Sequence, residues 1–129
     1  MSAGLADTSL FIAREAGRAL AVDALPDQLA VSVITIGELR AGVLAAGDLA
    51  TRDRRLSTLA AASAQEPIPI DTAVADAWAR LRVVLRDRGA RLGVNDSWIA
   101  ATALALRVPV VTQDDDYNAL AGEVETIRV

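Results

Sequence analysis

Three consecutive aspartates, Asp114 to Asp116, follow a β-branched apolar stretch in the sequence VVTQDDDYNAL (110–120). Like charges repel one another at this spacing, and aspartate is a poor residue for the interior of a helix. Because aspartate caps helices well, one interpretation is a turn and a helix that begins near residue 115. The other interpretation is that these carboxylates bind a ligand. Acidic residues elsewhere in the chain help to decide between the two.

The residue types that the chain lacks restrict its chemistry. It has no histidine and no cysteine, and all 13 of its basic residues are arginine. Catalytic triads, imidazole acid–base catalysis, thiolate nucleophiles and zinc sites with histidine or cysteine ligands are therefore excluded. The absence of lysine also excludes Schiff-base chemistry. If the chain is an enzyme, it must work with carboxylates, hydroxyls, arginine and a metal ion.

Acidic residues occur beside predicted strands and helices in four separated segments. Asp7 ends the stretch GLAD, Glu38 lies in TIGELRAG, Asp96 lies at the start of NDSWIAATALALR, and Asp114 and Asp116 follow VPVVT. In a parallel sheet the carboxyl ends of the strands meet at one edge, where α/β proteins bind ligands. Each acid could instead cap a helix, but serine, threonine and asparagine cap about as well without a charge. Clustered carboxylates repel one another, so four or five of them need a counterion.

A hard divalent cation would compensate such a cluster, and Mg²⁺ or Mn²⁺ suits oxygen ligands. Two such ions would suit displacement at a phosphodiester. We expect five acids to be both metal ligands and catalytic residues: Asp7, Glu38, Asp96, Asp114 and Asp116. Neutralising these five negative charges changes the formal net charge from −4 to +1. The overall acidity of the chain therefore does not exclude a nucleic-acid substrate.

The elements that must position these acids alternate along the chain. Strands are predicted at 4–7, 28–34, 67–71, 108–112 and 124–129, and helices at 8–13, 35–47, 49–65, 72–89, 95–107 and 115–121. Thr35 and Glu38 have the spacing of a capping box, and Gly47 and Gly89 are predicted helix ends. Strands that alternate with helices of about ten residues or more predict an α/β architecture with a mainly parallel sheet.

Length and composition fit one globular domain over residues 1–129, since 53% of the residues are hydrophobic. No apolar run approaches the roughly 20 residues that cross a membrane. The first residues lack the basic and apolar regions of a signal peptide, and the absence of cysteine fits a reducing compartment. We expect a cytoplasmic protein that does not associate with a membrane.

Four segments together resemble a known family: LADTSLFIA (5–13), SVITIGELRAGVLAA (32–46), GVNDSWIAATAL (93–104) and VVTQDDDYNAL (110–120). Their order and spacing are similar to those of PIN-domain ribonucleases, specifically the VapC-type toxins of bacterial toxin–antitoxin pairs. The resemblance implies a three-layer α/β/α sandwich and Mg²⁺- or Mn²⁺-dependent endoribonuclease activity on an RNA substrate. It also implies a homodimer and a cognate antitoxin, which joins the toxin in a hetero-oligomer and blocks the active site with its C-terminal tail.

The resemblance also assigns the acids residue by residue. The first three acids of the family correspond to Asp7, Glu38 and Asp96. The fourth falls in TQDDDY, where Asp116 is expected slightly ahead of Asp114 as the essential acid, with both near the metal. Asp115 corresponds to a variable position of the family, so we expect it to have no role in catalysis.

Several further residues have two interpretations each. Ser9 and Thr112 match small hydroxyl positions beside the acids, where they would orient a water molecule or a carboxylate; ordinary turn hydroxyls are the alternative. Trp78 and Trp98 lie on apolar helix faces, so we expect them to pack in the core rather than to stack on RNA bases. The arginines of the predicted helix at 49–65 are interpreted as a solvated face.

Two other functions remain open. One is a PIN-domain nuclease that processes RNA without an antitoxin, and the other is a non-catalytic PIN interaction module. The intact set of acids argues against the second, because pure binding gains nothing from uncompensated charge. For the antitoxin, we expect an arginine of its tail to enter the acidic cluster, since guanidinium pairs bidentately with carboxylates.

Overall fold

A sheet of four parallel strands lies at the centre of the computed structural model, which describes residues 1–129. In chain order the strands are β1 (Ala3–Ala6), β2 (Gln28–Val31), β3 (Val110–Thr112) and β4 (Thr126–Arg128). Their order across the sheet is β2-β1-β3-β4, so β1 and β3 are central and β2 and β4 are edge strands. Because all three pairings are parallel, the four carboxyl ends lie at one edge of the sheet.

Five α-helices connect and cover the strands: α1 (Thr8–Glu15), α2 (Val33–Leu44), α3 (Leu49–Ser63), α4 (Thr72–Arg88) and α5 (Val94–Leu106). Short 3₁₀ helices lie at Val22–Ala24 and Asp116–Leu120. The predicted helices at 49–65 and 72–89 are confirmed, and Gly89 ends α4 with a φ of +60° that favours glycine. None of the helices combines the length and the apolar character needed to span a bilayer.

Helices pack on both faces of the sheet because successive strand residues point to opposite faces. Leu5 and Val110 lie in the largest core cluster, together with side chains of α4 and α5. The neighbouring residues Ala6 and Val111 pack with Leu10 of α1 in a second cluster. The predicted α/β architecture with a parallel sheet is confirmed, with helices in the layers on either side.

The strand predicted at 67–71 is wrong. In its place there is one isolated bridge between Ile68 and Ser32 at the end of β2. Pro67 and Pro69 flank Ile68 and have no N–H to donate, so a continuous ladder cannot form there. The segment passes directly into α4, whose N-terminus is capped by Asp71.

The predicted boundaries of α2 are also wrong. Ser32 caps the helix through its side chain, so α2 begins two residues before the predicted start at 35. Thr35 is therefore not a cap but a buried residue inside the helix, and Glu38 lies in its second turn. At the other end, Ala45 rather than Gly47 is the C-cap.

Two elements near the remaining acids differ from the predictions as well. The cap of α5 is the backbone at Gly93, so Asp96 lies inside the first turn and does not cap the helix. The helix predicted at 115–121 is a 3₁₀ helix over Asp116–Leu120. Its short length leaves the aspartates before it in a turn, where their side chains can point in different directions.

Candidate active site

Asp7 is the most buried acid of the chain and directly follows β1. It is 3% exposed and caps α1, where its Oδ2 accepts a hydrogen bond from the Ser9 amide at 3.4 Å. Asp7 is therefore a helix cap, but this role does not explain its other contacts. Burial makes an ionised carboxylate costly unless its environment compensates it, so the other contacts of Asp7 define the site.

Two hydroxyl groups bind the Asp7 carboxylate from either side. Tyr117 donates to Oδ1 at 2.8 Å, and Thr112 lies 3.1 Å from Oδ2. The Tyr117 hydroxyl is also 3.4 Å from Oδ1 of Asp96, in the first turn of α5. Burial, followed by the charges of Asp7 and Asp96, raises the pKa of Tyr117 far above its ordinary value. Tyr117 therefore remains protonated and acts as a donor.

A chain of threonine hydroxyls orients Glu38. Thr8 donates to Oε1 of Glu38 at 2.7 Å, and its oxygen lies 2.9 Å from the Thr35 hydroxyl. Since the single proton of Thr8 points to Glu38, Thr35 must donate to Thr8. The early start of α2 explains this arrangement, because Thr35 and Glu38 lie three residues apart on one side of the helix.

The three aspartates after β3 have different surroundings. Asp114 is half-buried, and its Oδ1 lies 3.3 Å from both the Thr112 hydroxyl and the Asp116 amide. Asp115 is exposed and forms an ion pair with Arg128 on β4. Asp116 is exposed. Its backbone N–H donates a hydrogen bond to the Asp114 carboxylate. Asp115 is thus the one aspartate of the three that pairs with an arginine, and its lack of a role in catalysis stays a prediction.

Ser9 connects α1 to the segment after β3. Its Oγ accepts a hydrogen bond from the Gln113 amide at 3.1 Å and lies 3.3 Å from the Thr112 hydroxyl. Ser9 and Thr112 thus lie beside the acids at the carboxyl ends of β1 and β3. Their hydroxyls form part of one hydrogen-bonded network rather than isolated turns.

The acids at this edge of the sheet interact strongly. Burial raises the pKa of Asp96 from 3.8 to about 6, and four negative charges add to the effect: Asp7, Asp114, Asp116 and Glu38. The pKa of Asp114 is raised for the same reasons, first by burial and then by the charge of Asp7. The ion pairs of the chain are Arg86–Asp87, Arg88–Glu123 and Arg128–Asp115, so no arginine pairs with any of these five acids.

The carboxylate and hydroxyl oxygens of the site suit a hard divalent cation that retains part of its hydration shell. No group of three or more acidic side chains is spaced to hold a metal ion by itself, and hydroxyls lie between neighbouring carboxylates. Mg²⁺ usually retains several waters and takes one or two carboxylates together with substrate phosphate. Oxygen ligands, excess negative charge and an open rim match this preference; that these five acids are the metal ligands stays a prediction.

The structure brings together all five predicted acids and both predicted hydroxyl residues, and it adds three residues that sequence reasoning missed. Tyr117 and Thr8 each donate a hydrogen bond to an acid, and Thr35 donates to Thr8. Tyr117 and Thr8 are direct sequence neighbours of Asp116 and Asp7, which is the signal that could have drawn attention to them. Thr35 was assigned to a cap because its spacing from Glu38 fits a capping box.

The two tryptophans lie beside the site but not among the acids. Their rings are stacked with centroids 4.6 Å apart, both are half-buried, and both pack against the core cluster of α4 and α5. Trp78 donates to the Ser97 hydroxyl at 3.2 Å, and Arg82 lies over its ring. Their packing against the core agrees with the prediction, whereas their stacking on each other was not predicted.

Comparison with known protein families matches residues 5–123 to the PIN domain. The chain belongs to the PIN-domain family. Ribonuclease VapC5 of Mycobacterium tuberculosis (strain ATCC 25618 / H37Rv) is 49% identical over 130 residues, which cover 99% of this chain and 96% of VapC5. Ribonuclease VapC4 of the same strain is also 49% identical over 130 residues, covering 97% of this chain and 95% of VapC4. These relatives place this PIN domain in the VapC group.

A solved structure agrees with the sequence comparison. The crystal structure of VapBC-5 from Mycobacterium tuberculosis, a member of the VapBC family of toxin–antitoxin systems, contains a chain with 46% sequence identity and a TM-score of 0.92. The match covers 100% of both chains. The fold of this chain is therefore similar to that of a VapBC-5 chain over its full length.

Proposed function

We propose that this PIN domain is a Mg²⁺- or Mn²⁺-dependent endoribonuclease that acts as the toxin of a toxin–antitoxin pair. One observation carries the proposal: Asp7, Glu38, Asp96 and Asp114 come from four segments to one edge of the sheet, and no arginine neutralises them. Such repulsion is useful where a cation must be bound. The near full-length similarity to chains named ribonucleases supports RNA as the substrate.

The acids differ in their burial and in their hydrogen bonds. Asp7 accepts hydrogen bonds on both oxygens and offers a fixed ligand, whereas Asp96 and Asp114 are half-buried and line the approach from solvent. When bound, Mg²⁺ or Mn²⁺ supplies an activated water molecule and offsets charge on the leaving oxygen. Glu38, oriented through Thr8, and the exposed carboxylate of Asp116 remain free to orient a water molecule and accept its proton.

An antitoxin partner follows from the same surface. A cavity of about 210 Å³ adjoins α2 and combines apolar groups with two acids and one arginine, and the arginine is bonded to the Gly42 carbonyl. The lining residues are Ile12, Glu15, Glu38, Leu39, Gly42 and Arg55. An antitoxin tail with an apolar residue and an arginine would suit it, since guanidinium pairs bidentately with carboxylates. The match to a chain of VapBC-5 supports a partner of this kind. A homodimer remains part of the proposal.

Cleavage of single-stranded RNA by the purified protein tests the activity. We expect products with Mg²⁺ or Mn²⁺, none with EDTA, and a loss of orders of magnitude in Asp96→Asn. Asp115→Asn is the matched control, because it removes the same charge from an exposed aspartate that pairs with Arg128. Cleavage that persists in EDTA, or that survives in Asp96→Asn, would refute a metal-dependent site at these acids.

Binding of the antitoxin is tested separately. Replacing the tail arginine by alanine should restore RNA cleavage while weakening the complex only partly, because apolar burial contributes most of the affinity. Full inhibition by a tail without arginine would mean that the antitoxin blocks RNA elsewhere on the surface.

A further inference from the structure

The Tyr117 hydroxyl touches two acids of the site at once. It lies 2.8 Å from Oδ1 of Asp7 and 3.4 Å from Oδ1 of Asp96. The residue is 1% exposed, and its ring belongs to the core cluster that also contains Leu85 and Leu120. Because the ring is held by close packing, the position of its oxygen is set by the core rather than by the acids.

The hydroxyl is not needed to fill space. A phenylalanine at 117 would occupy the same volume in the same cluster, so packing alone explains the ring but not its oxygen. Removing the oxygen would leave Asp7 with two donors on Oδ2, the Thr112 hydroxyl and the Ser9 amide, and no donor on Oδ1. A buried polar group is usually hydrogen-bonded. Here the acceptor for the Tyr117 hydroxyl is the Asp7 carboxylate of the site.

We propose that Tyr117 is a positioning residue that fixes the Asp7 carboxylate, and its separation from Asp96, for cation binding. This inference rests on the proposed metal-dependent function. Each carboxylate oxygen has two acceptor sites. Oδ2 of Asp7 accepts from the Ser9 amide and the Thr112 hydroxyl, whereas Oδ1 accepts only from Tyr117, so one site on Oδ1 is left for a cation. Partners that orient ligating carboxylates in this way contribute about 10- to 100-fold to metal affinity or activity.

Tyr117→Phe tests the proposal because it removes one oxygen atom and keeps the ring. We expect the dissociation constant for Mn²⁺, measured by titration calorimetry on the full chain without RNA, to rise about tenfold. The measurement is made well below the melting temperature of both proteins, so that both are folded. Thr102→Val is the matched control, since it removes a buried hydroxyl of α5 that bonds only to the Trp98 carbonyl. The control should bind Mn²⁺ like the parent.

Cleavage kinetics provide a second readout. For Tyr117→Phe we expect a lower kcat at limiting Mn²⁺, recovery of kcat at saturating Mn²⁺, and an unchanged KM for RNA. A parent-like Mn²⁺ dissociation constant in Tyr117→Phe would overturn the proposal. An equal loss in Thr102→Val would also overturn it, because any buried hydroxyl would then have the same effect. If Mn²⁺ binding weakens as expected but the parent does not cleave RNA, the ribonuclease function fails while the positioning role of Tyr117 stands.

Discussion

Replacing Asp96 by asparagine should stabilise the metal-free protein, although it removes an acid of the candidate site. The carboxylate is held among four other acids, and its pKa is raised to about 6 by burial and by their charges. A raised pKa means that the folded state disfavours the charged form. Above pH 6 the ionised Asp96 therefore lowers the free energy of unfolding, and below its ordinary pKa near 4 this cost disappears.

The magnitude follows from the size of the shift. At about 1.4 kcal/mol per pKa unit, the rise from 3.8 to about 6 corresponds to about 3 kcal/mol before screening. Because the side chain is half-exposed, solvent screening reduces this to about 1 to 2 kcal/mol. A carboxylate in the first turn of α5 also gains about 0.5 kcal/mol from the helix dipole, which asparagine loses. The net gain of about 1 kcal/mol corresponds to about 3 to 5 °C in melting temperature for a chain of this length.

Thermal unfolding in EDTA measures this effect. Asp96→Asn should melt above the parent at pH 8, and the difference should shrink toward zero at pH 4.5. Asp115→Asn is the control and should show no gain at either pH, because its carboxylate is exposed and paired with Arg128. The electrostatic reasoning would be refuted by a variant that melts at or below the parent at pH 8. It would also be refuted by a gain of the same size at both pH values.

Three further predictions follow from the same contacts. Glu38→Gln and Asp114→Asn should each reduce RNA cleavage by orders of magnitude, whereas Asp115→Asn should leave it close to the parent; equal losses in all three would contradict the separate surroundings of these acids. Thr35→Val should reduce kcat about tenfold, because Thr8 loses its hydrogen-bond donor. The same change should lower the free energy of unfolding, measured by urea titration, by about 1 to 3 kcal/mol. Mn²⁺ at about 100 times its dissociation constant should raise the free energy of unfolding by about 2.7 kcal/mol, which EDTA should reverse. An unchanged melting curve would argue against a cation site.

Much of the architecture was predictable from local pattern. The helix predicted at 72–89 matches α4, and Gly89 predicted its end because glycine adopts positive φ readily. Alternation of strands and helices predicted the parallel sheet. The strand at 67–71 failed because apolar residues between prolines look extended, while the prolines remove the donors that a ladder needs.

The start of α2 shows why capping is harder to predict. Ser32 and Thr35 are both acceptable caps by residue type. The bridge between Ser32 and Ile68 selects the earlier one, and it joins segments 36 residues apart in sequence. A contact of this kind depends on the fold as a whole, so local propensity carries no information about it.

By itself, the sequence determined the chemistry available to this protein. Without histidine, cysteine or lysine, carboxylates and hydroxyls are the groups left to bind a cation, and their segments had to end at one edge of a parallel sheet. Only the tertiary structure decided how those acids are held. The Tyr117 hydroxyl reaches Asp7 across 110 positions of the sequence, and Thr8 reaches Glu38 across 30. Hydrogen bonds act over about 3 Å, so their partners are selected by packing in three dimensions and not by spacing along the chain.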